Sequence, residues 1–394
     1  MSGASDLGEV RYTAPGLASM TRLRRGLGNL CLIAVSVALC VGVFEVVLRA
    51  WPTLLGADFA NGVRSRYTTR EGGIFYRDPS LRMNFMIPGL KVPMYWNGYE
   101  WTHEADALGF RSRRPAIPAD VVLLGDSFIY GHGVELEATV GHFLEQITGR
   151  PVANLARQGD SAYQQAYLLS SHIGLFRPRH VVYFYFENDI ADLRAYLKED
   201  AMRAFIREPL ESIRYPPRMD VAEALRAREA KLASRPWHWP LTRRAYVVRA
   251  WNRLASAWPP ARPSPAAAPA PASGTAASGG ATAAAPAPPP NVSSSTAVDD
   301  ERSIGWQYTK KAIAYMQYVS ERHGARLLVV PITPTKPRHF EILRGIAEEH
   351  HLPFLDTSAL PSDPTLWLAN DGHFSPAGAR RMAELVAGAL ASAR

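Results

Sequence analysis

The chain has 394 residues and a formal net charge of +8, from 44 Lys and Arg against 36 Asp and Glu. No basic run or aromatic-basic motif accompanies this charge, which argues against a nucleic-acid partner. Both cysteines, Cys31 and Cys40, lie in one apolar N-terminal segment. The rest of the chain therefore offers no disulfide, cysteine-ligated zinc or thiol nucleophile.

The N-terminal segment has the pattern of a membrane anchor. Residues 1–26 are polar and end in a cluster of arginines, and residues 27–49 are almost wholly apolar. A helix of about twenty such residues spans the hydrocarbon core of a bilayer, and flanking arginines favour the cytoplasmic side. We therefore expect a disordered cytoplasmic tail, one transmembrane helix and an exported remainder. A cleaved signal peptide is the alternative.

After the anchor the sequence predicts a lead-in and then an α/β domain. Residues 50–118 combine scattered aromatics with Gly, Pro and Asn turn signals, which indicates a β-rich or irregular lead-in. From 119 to 394, short β-branched runs alternate with helical patterns, which is typical of βαβ units and a parallel sheet. The predicted strands are 121–124, 152–155, 180–186, 326–331 and 353–355. The predicted helices are 136–147, 162–175, 304–323, 340–350 and 376–392.

Two segments interrupt this alternation. Residues 190–258 are predicted to form a helical insertion. Residues 259–300, which are rich in Pro, Ala, Gly and Ser, are predicted to form a disordered linker inside the domain. At the end of the insertion, one face of a basic helix covers either the domain's own core or a membrane surface. The residues that form this face are Val247, Trp251, Leu254 and Trp258.

Polar groups follow the ends of the predicted strands, where open α/β sheets bind their ligands. Ser127 follows the first strand within Gly-Asp-Ser and is the candidate nucleophile. Gly159 follows the second strand and Asn188 the third. The backbone N–H groups of Ser127 and Gly159, together with the Asn188 amide, could form an oxyanion hole.

The base is expected from the loop before the last helix. Asp371 and His373 lie in this loop and supply an orienting acid and a general base. His132 is an alternative base, although a residue only five positions after Ser127 seldom faces it correctly. The spacing of His, Asp and Glu indicates no metal site, and no glycine-rich nucleotide motif is present. No cofactor is therefore expected.

These blocks, in this order, resemble the SGNH/GDSL hydrolase family across residues 120–394 outside the 190–300 insertion. The resemblance implies a flavodoxin-like three-layer α/β sandwich with a parallel sheet of about five strands. It also implies a catalytic triad and an oxyanion hole. The triad residues are Ser127 as nucleophile, His373 as base and Asp371 as orienter. The oxyanion-hole residues are Ser127, Gly159 and Asn188.

Two positions depart from the pattern of that family. Phe186 stands where the third block commonly has Gly. The last block is commonly Asp-x-x-His, which would place the acid at Asn370, whereas the available acid is Asp371. This shorter Asp-x-His spacing resembles the periplasmic polysaccharide O-acetyltransferases of the alginate type, and it leaves open whether Asp371 or Asn370 orients His373.

The resemblance implies a serine esterase or deacylase, and the predicted anchor at residues 27–49 adds the expectation that it lies in the bacterial inner membrane with its catalytic domain in the periplasm. The expected substrates carry ester-linked acyl groups, as in acylated carbohydrate of the cell envelope or of exported polysaccharide. Polysaccharide synthesis and export machinery is the expected partner. A polysaccharide O-acyltransferase with the same triad is the first alternative. A non-catalytic polysaccharide-binding or scaffold subunit that retains the fold is the second.

Overall fold

The computed structural model describes residues 16–64, 73–235, 245–257, 300–332 and 336–392. The chain divides into two compact units, one of residues 1–63 with 237–267 and the other of residues 64–236 with 268–394. Most of the predicted tail and nearly all of the predicted linker lie outside the described residues.

The helices and strands are named in chain order. The strands are β1 Phe75–Asp78, β2 Met83–Met86, β3 Lys91–Trp96, β4 Tyr99–Glu104, β5 Val121–Leu124, β6 Val152–Asn154, β7 His180–Tyr185 and β8 Arg326–Pro331. The helices are α1 Gly16–Ala50, α2 Ala57–Arg64, α3 Ser127–Tyr130, α4 Val140–Thr148, α5 Ala162–Phe176, α6 Asp189–Tyr196, α7 Glu199–Arg207, α8 Val221–Ala233, α9 Tyr246–Ala257, α10 Ile304–Arg322, α11 Pro337–Glu349 and α12 Pro376–Ser392.

The first unit is built around the long helix α1. Its segment Arg24–Ala50 is the one described helix that is long and apolar enough to cross a membrane. Near its end, Leu48 forms an apolar cluster with Phe59 of α2 and Ala250 of α9. The backbone N–H of Val247 donates to the Glu45 carboxylate at 2.8 Å. Helix α9 therefore packs on the end of α1.

The apolar face predicted for α9 is only partly covered within this unit. Val247 packs against the cluster at the end of α1, whereas Trp251 and Leu254 are 71% and 57% exposed. Trp258 lies outside the described residues. The contact with α1 involves the first turns of α9, and Trp251 and Leu254 are exposed in the part of the chain that the structure describes.

The second unit contains a parallel sheet with the strand order β6-β5-β7-β8. Strand β5 pairs with β6 on one side and with β7 on the other. The carboxyl ends of these three strands therefore lie side by side. The predicted α/β class with a parallel sheet is confirmed.

The expected fifth strand is reduced to one parallel bridge between Val329 and Phe354. The N–H of Val329 donates to the Pro353 carbonyl, and the N–H of Leu355 donates to the Val329 carbonyl, both at 3.0 Å. Pairing stops there because the chain turns at Asp356, whose carboxylate accepts the N–H of Ser358 at 2.9 Å. Within the described ranges, the regular parallel sheet thus has four strands rather than about five.

Helices cover both faces of the sheet. Val122 and Leu124 of β5 lie in a core shared with α5 and α10, whereas Val121 and Leu123 lie in a second core shared with α4 and α12. This alternation follows from the period of two along a strand. It produces the predicted three layers.

Most of the predicted lead-in, from residue 64 onward, and most of the predicted insertion, up to residue 236, belong to the same unit as the sheet, whereas residues 50–63 of the lead-in belong to the first unit. The lead-in forms two antiparallel hairpins, β1–β2 and β3–β4. Leu81 and Phe85 of the lead-in, and Met202 and Ile213 of the insertion, are buried in the core that includes α5 and α10. Helix α9, the last part of the predicted insertion, belongs instead to the first unit. The predicted insertion is therefore divided between the two units.

Candidate active site

Ser127 opens the short helix α3 just after β5. A Cβ on Gly125 would lie 2.6 Å from Cγ1 of Ile129, so a glycine is needed for the strand end to approach α3 this closely. Asp126 caps the helix, because its carboxylate accepts the N–H of Phe128 at 3.0 Å. This turn holds Ser127 at the carboxyl edge of the sheet.

The structure brings Ser127, His373 and Asp371 together. The Ser127 Oγ lies 2.8 Å from Nε2 of His373, across a separation of 246 residues in the sequence. The Nδ1 of His373 lies 3.1 Å from Oδ1 of Asp371. If Nδ1–H donates to Asp371, Nε2 is left as the acceptor for the serine proton. This is the arrangement of a nucleophile, a general base and an orienting acid.

Asp371, and not Asn370, makes the contact with the base. The Asp371 side chain is 4% exposed. Asn370 is exposed, and its backbone N–H faces the Tyr99 hydroxyl at 3.4 Å. The acid of the Asp-x-His block is therefore the group that contacts Nδ1 of His373.

Backbone contacts hold the loop that carries the acid and the base. The N–H of Leu368 donates to the His373 carbonyl at 2.7 Å. Gly372 has φ +81°, a conformation that residues with side chains rarely adopt. A Cβ on Gly378 would lie 2.0 Å from the Leu366 carbonyl oxygen, so the first turn of α12 packs directly on this loop.

The two other oxyanion candidates lie beyond the carboxyl ends of the strands that flank β5. Gly159 follows β6 and has φ +75°, and Asn188 lies between the end of β7 and α6, directly before the first residue of that helix. The guanidinium of Arg157 donates to Asp160 at 2.8 and 3.0 Å and to the Asn84 carbonyl at 2.7 Å, which holds the Gly159 turn against the lead-in. The candidates share one edge of the sheet with Ser127, and their role as donors stays a prediction.

Aromatic rings form a continuous row through the site. Phe128 lies 4.4 Å from Phe186 and 4.6 Å from His373 between ring centroids. His132 lies 4.5 Å from His373 and 4.6 Å from Trp101. The row includes Phe186, the residue that replaces the commoner Gly, and it restricts rotation of the His373 ring.

Four carboxyl groups of this region have raised pKa values. Burial raises the pKa of Asp126 to about 6 and the pKa of Asp160 to about 7. Burial, with the charges of Asp126 and Asp160, raises the pKa of Asp192 to about 7. Burial also raises the pKa of Asp189 well above its usual range. The folded chain therefore holds protons here that an unfolded chain releases.

His132 is near the triad but does not have the position of an alternative base. Its Nε2 lies 3.4 Å from Oδ2 of Asp371, while Nε2 of His373 occupies the contact with the Ser127 hydroxyl. Burial is the main cause that lowers the pKa of His132 well below its usual value. The sequence hypothesis that His132 takes the serine proton is therefore not supported.

Arg111 is a site residue that the sequence reasoning missed. Its buried guanidinium donates to the carbonyls of Tyr130 and Gly131 and to those of Thr102 and Val134. It thereby ties the β3–β4 hairpin to the loop that carries His132. No motif signals this role, because the acceptors are backbone carbonyls distant in the sequence.

The fold assembles three potential metal ligands that the sequence spacing did not indicate. Among the described residues, His132, Asp371 and His373 each offer a ligand atom within 4.8 Å of the others. The His373 nitrogens already face Asp371 and Ser127, and Nδ1 of His132 lies 2.9 Å from Nε2 of Gln158. Hydrogen bonding therefore accounts for most of these atoms.

No protein-family model and no curated protein sequence matches this chain. Among solved structures, the chain is similar to TesA, with 13% identity over 68% of this chain and 97% of the other and a TM-score of 0.36. It is similar to a GDSL-like lipase from Bacteroides thetaiotaomicron, with 12% identity over 70% and 88% of the two chains and a TM-score of 0.34. It is also similar to a lipase/acylhydrolase from Enterococcus faecalis, with 13% identity over 68% and 93% and a TM-score of 0.31.

Proposed function

We propose that this protein is a serine esterase or deacylase that acts on ester-linked acyl groups. The observation that carries the proposal is the pair of contacts at His373, 2.8 Å to the Ser127 hydroxyl and 3.1 Å to the Asp371 carboxylate. A serine in this setting gains a base and an orienting acid, which is what an alcohol nucleophile requires.

In the proposed reaction, the Ser127 hydroxyl attacks the ester carbonyl as its proton passes to Nε2 of His373. The N–H groups of Ser127 and Gly159 and the amide of Asn188 stabilise the oxyanion. The tetrahedral intermediate collapses, the ester C–O bond breaks, and His373 returns the proton to the departing alcohol. Water, activated in turn by His373, then hydrolyses the acyl-enzyme.

The first alternative is an O-acyltransferase, in which a sugar hydroxyl replaces water in the second half of the reaction. It needs the same triad, and the Asp-x-His spacing, similar to that of alginate-type O-acetyltransferases, favours it. The second alternative is a non-catalytic polysaccharide-binding or scaffold subunit, which the replacement of a commonly small residue by Phe186 allows.

We also propose that helix α1 anchors the protein in a bacterial inner membrane, with the site in the periplasm. The length and composition of Arg24–Ala50 support a membrane-spanning helix, and the arginines before it support a cytoplasmic N-terminus. Acylated carbohydrate of the cell envelope or of exported polysaccharide is the substrate class that fits this location. The machinery that synthesises or exports such polysaccharide is the proposed partner.

The test uses the full chain in detergent with an activated aryl acetate. The proposal predicts release of the aryl alcohol by the wild type and loss of this activity in Ser127→Ala. Ser80→Ala is the matched control, because the Ser80 hydroxyl donates to Asp78 at 2.6 Å in the lead-in. Equal turnover by wild type and Ser127→Ala, or no turnover by either, would contradict the proposal and favour the scaffold.

Adding oligosaccharide acceptors to the same assay separates hydrolysis from transfer. An esterase produces free acetate at an unchanged rate. A transferase produces acetylated oligosaccharide, seen as a mass increase of the acceptor, and this product disappears in Ser127→Ala.

A further inference from the structure

The carboxylate of Asp371 lies between two histidines. Its Oδ1 faces Nδ1 of His373 at 3.1 Å, and its Oδ2 faces Nε2 of His132 at 3.4 Å. Neither Oδ2 of Asp371 nor Nε2 of His132 has a hydrogen-bond partner among the described residues, and both atoms are buried. Because a buried polar atom without a partner is costly, these two atoms are the natural partners of each other.

The second nitrogen of His132 indicates which tautomer is present. Its Nδ1 lies 2.9 Å from the amide Nε2 of Gln158, which can only donate. Nδ1 is therefore the acceptor, and in a neutral ring the proton lies on Nε2 and points at Asp371. The opposite tautomer would place a nitrogen lone pair against a carboxylate.

Packing fixes the ring in this position. The His132 side chain is 13% exposed and lies between Trp101 and His373 in the aromatic row. The guanidinium of Arg111 holds the carbonyls on both sides of His132, those of Gly131 and Val134. The ring is thus held by its neighbours rather than by its own backbone alone.

We propose that His132 is a positioning residue of the triad, whose Nε2–H holds the second oxygen of Asp371 so that the first stays aligned with His373. The gap of 3.4 Å closes to a hydrogen bond with a small shift, as catalytic contacts do when substrate binds. This inference rests on the proposed function.

The same ring connects the acid to the oxyanion side of the site. Gln158, the partner of Nδ1, directly precedes Gly159, the predicted oxyanion donor. His132 therefore links the loop of Asp371 to the turn of Gly159. A change at His132 should alter the alignment of both, which affects the chemical step more than the binding of substrate.

The test compares two substitutions at His132 in the full-length protein. His132→Phe keeps a ring in the aromatic row but removes both ring nitrogens, whereas His132→Gln keeps an N–H donor that can reach Asp371. We expect kcat for the activated ester to fall about 10- to 100-fold in His132→Phe, as for loss of a hydrogen bond to a charged group. We expect His132→Gln to recover most of this loss, with KM within about twofold in both, because the contact acts on the chemical step.

A pH profile separates positioning from a merely structural role. Without the donor on Oδ2, more negative charge remains on Oδ1 of Asp371. The acidic limb of the kcat/KM profile should therefore move to higher pH in His132→Phe and return to its wild-type position in His132→Gln. The ionisable groups that act on this histidine pair are Asp371, Asp126 and Arg111. All three are unchanged in both variants.

His142→Phe is the matched control, since His142 contacts Gln146 on helix α4. This variant should leave kcat and the pH profile unchanged.

Equal kcat and equal pH profiles in the wild type and His132→Phe would overturn the inference. So would an equal loss in both variants without a shift of the acidic limb, because that is the result of disturbed packing. Loss of wild-type activity with a chelator, restored by Zn²⁺ alone, would also overturn it, since His132 would then be a metal ligand. Failure of the proposed function is distinguishable, because Ser127→Ala would then match the wild type.

Discussion

At the scale of single residues, the site depends on which group orients His373. The sequence allowed Asp371 or Asn370 in that role, because the spacing of the last block departs from the commoner pattern. In the structure, the Asp371 carboxylate lies on Nδ1 of His373, and Asn370 is exposed. The two residues are adjacent, so the direction of each side chain depends on the local turn at Gly372, which spacing alone does not reveal.

This difference predicts opposite outcomes for two neighbouring substitutions. Asp371→Asn should lower kcat by about 10³- to 10⁴-fold, because a neutral amide neither fixes the required tautomer of His373 nor stabilises its charged form. Asn370→Ala should leave kcat within about twofold, since its side chain makes no contact with the base. Steady-state kinetics on the activated ester measure both. A large loss in Asn370→Ala with full activity in Asp371→Asn would reverse the assignment.

At the scale of elements, the strands and helices of the sheet domain were predictable because their apolar pattern is strong. Strands 121–124 and 326–331 have the predicted bounds, and helix α12 also spans the predicted residues. The length of the fifth strand was overestimated, because its pairing with β8 ends at the turn of Asp356. The position of α9 was not predictable, since a basic amphipathic pattern does not specify which apolar surface the helix contacts.

The β3–β4 hairpin is attached to the site by the four carbonyl contacts of Arg111. Arg111→Lys should destabilise the fold by about 1–3 kcal/mol, because a lysine cannot reproduce the planar fork and leaves buried carbonyls without donors. Denaturant unfolding measures this. Arg113→Lys is the control, as its exposed pairing with Glu137 should contribute less than about 1 kcal/mol. Similar unfolding midpoints for the two variants would show that Arg111 does not fasten the hairpin.

At the scale of the whole molecule, the buried carboxyl groups make stability depend on pH. A carboxyl whose folded pKa is raised stabilises the fold while it is protonated, and this contribution is lost as pH rises through the folded value. The pKa of Asp192 is about 7 in the folded chain, against an ordinary value of 3.8. Its contribution to stability is therefore lost between about pH 3.8 and pH 7. Burial lowers the pKa of His103 to about 3 and the pKa of His172 to about 4. These two histidines have the opposite effect, because they lower the stability of the fold as the pH falls below neutral.

A difference measurement isolates the carboxyl contribution. In Asp192→Asn the side chain stays neutral at every pH. The Tm of this variant relative to the wild type should therefore rise by about 2–5 °C between pH 5 and pH 8 and then level off. Thermal unfolding at several pH values in one buffer system tests this. A Tm difference that does not change with pH would mean that Asp192 titrates normally in the folded chain.

The site was predictable in part from one sequence because its principal residues occur in short blocks, either after a strand or in the loop before the last helix. Ser127 lies at the carboxyl edge of the parallel sheet, and the loop before α12 brings Asp371 and His373 to it across 246 residues. Two roles were not predictable. One is the proposed role of His132 as a partner of Asp371, and the other is that of Arg111, which holds the loop of His132 through its backbone carbonyls. Their roles arise from the way the lead-in packs against the sheet, and the pattern of a single sequence contains no signal for it.

The most direct measurement is the mapping of covalent labelling by a serine-reactive fluorophosphonate, followed by peptide mass spectrometry. A Ser127–His373–Asp371 triad predicts one adduct per chain, at Ser127, and strongly reduced labelling in His373→Ala and Asp371→Asn, because the hydroxyl is reactive only with its base in place. Labelling at another residue, or labelling of Ser127 in both variants at the wild-type rate, would contradict a catalytic role for these three residues.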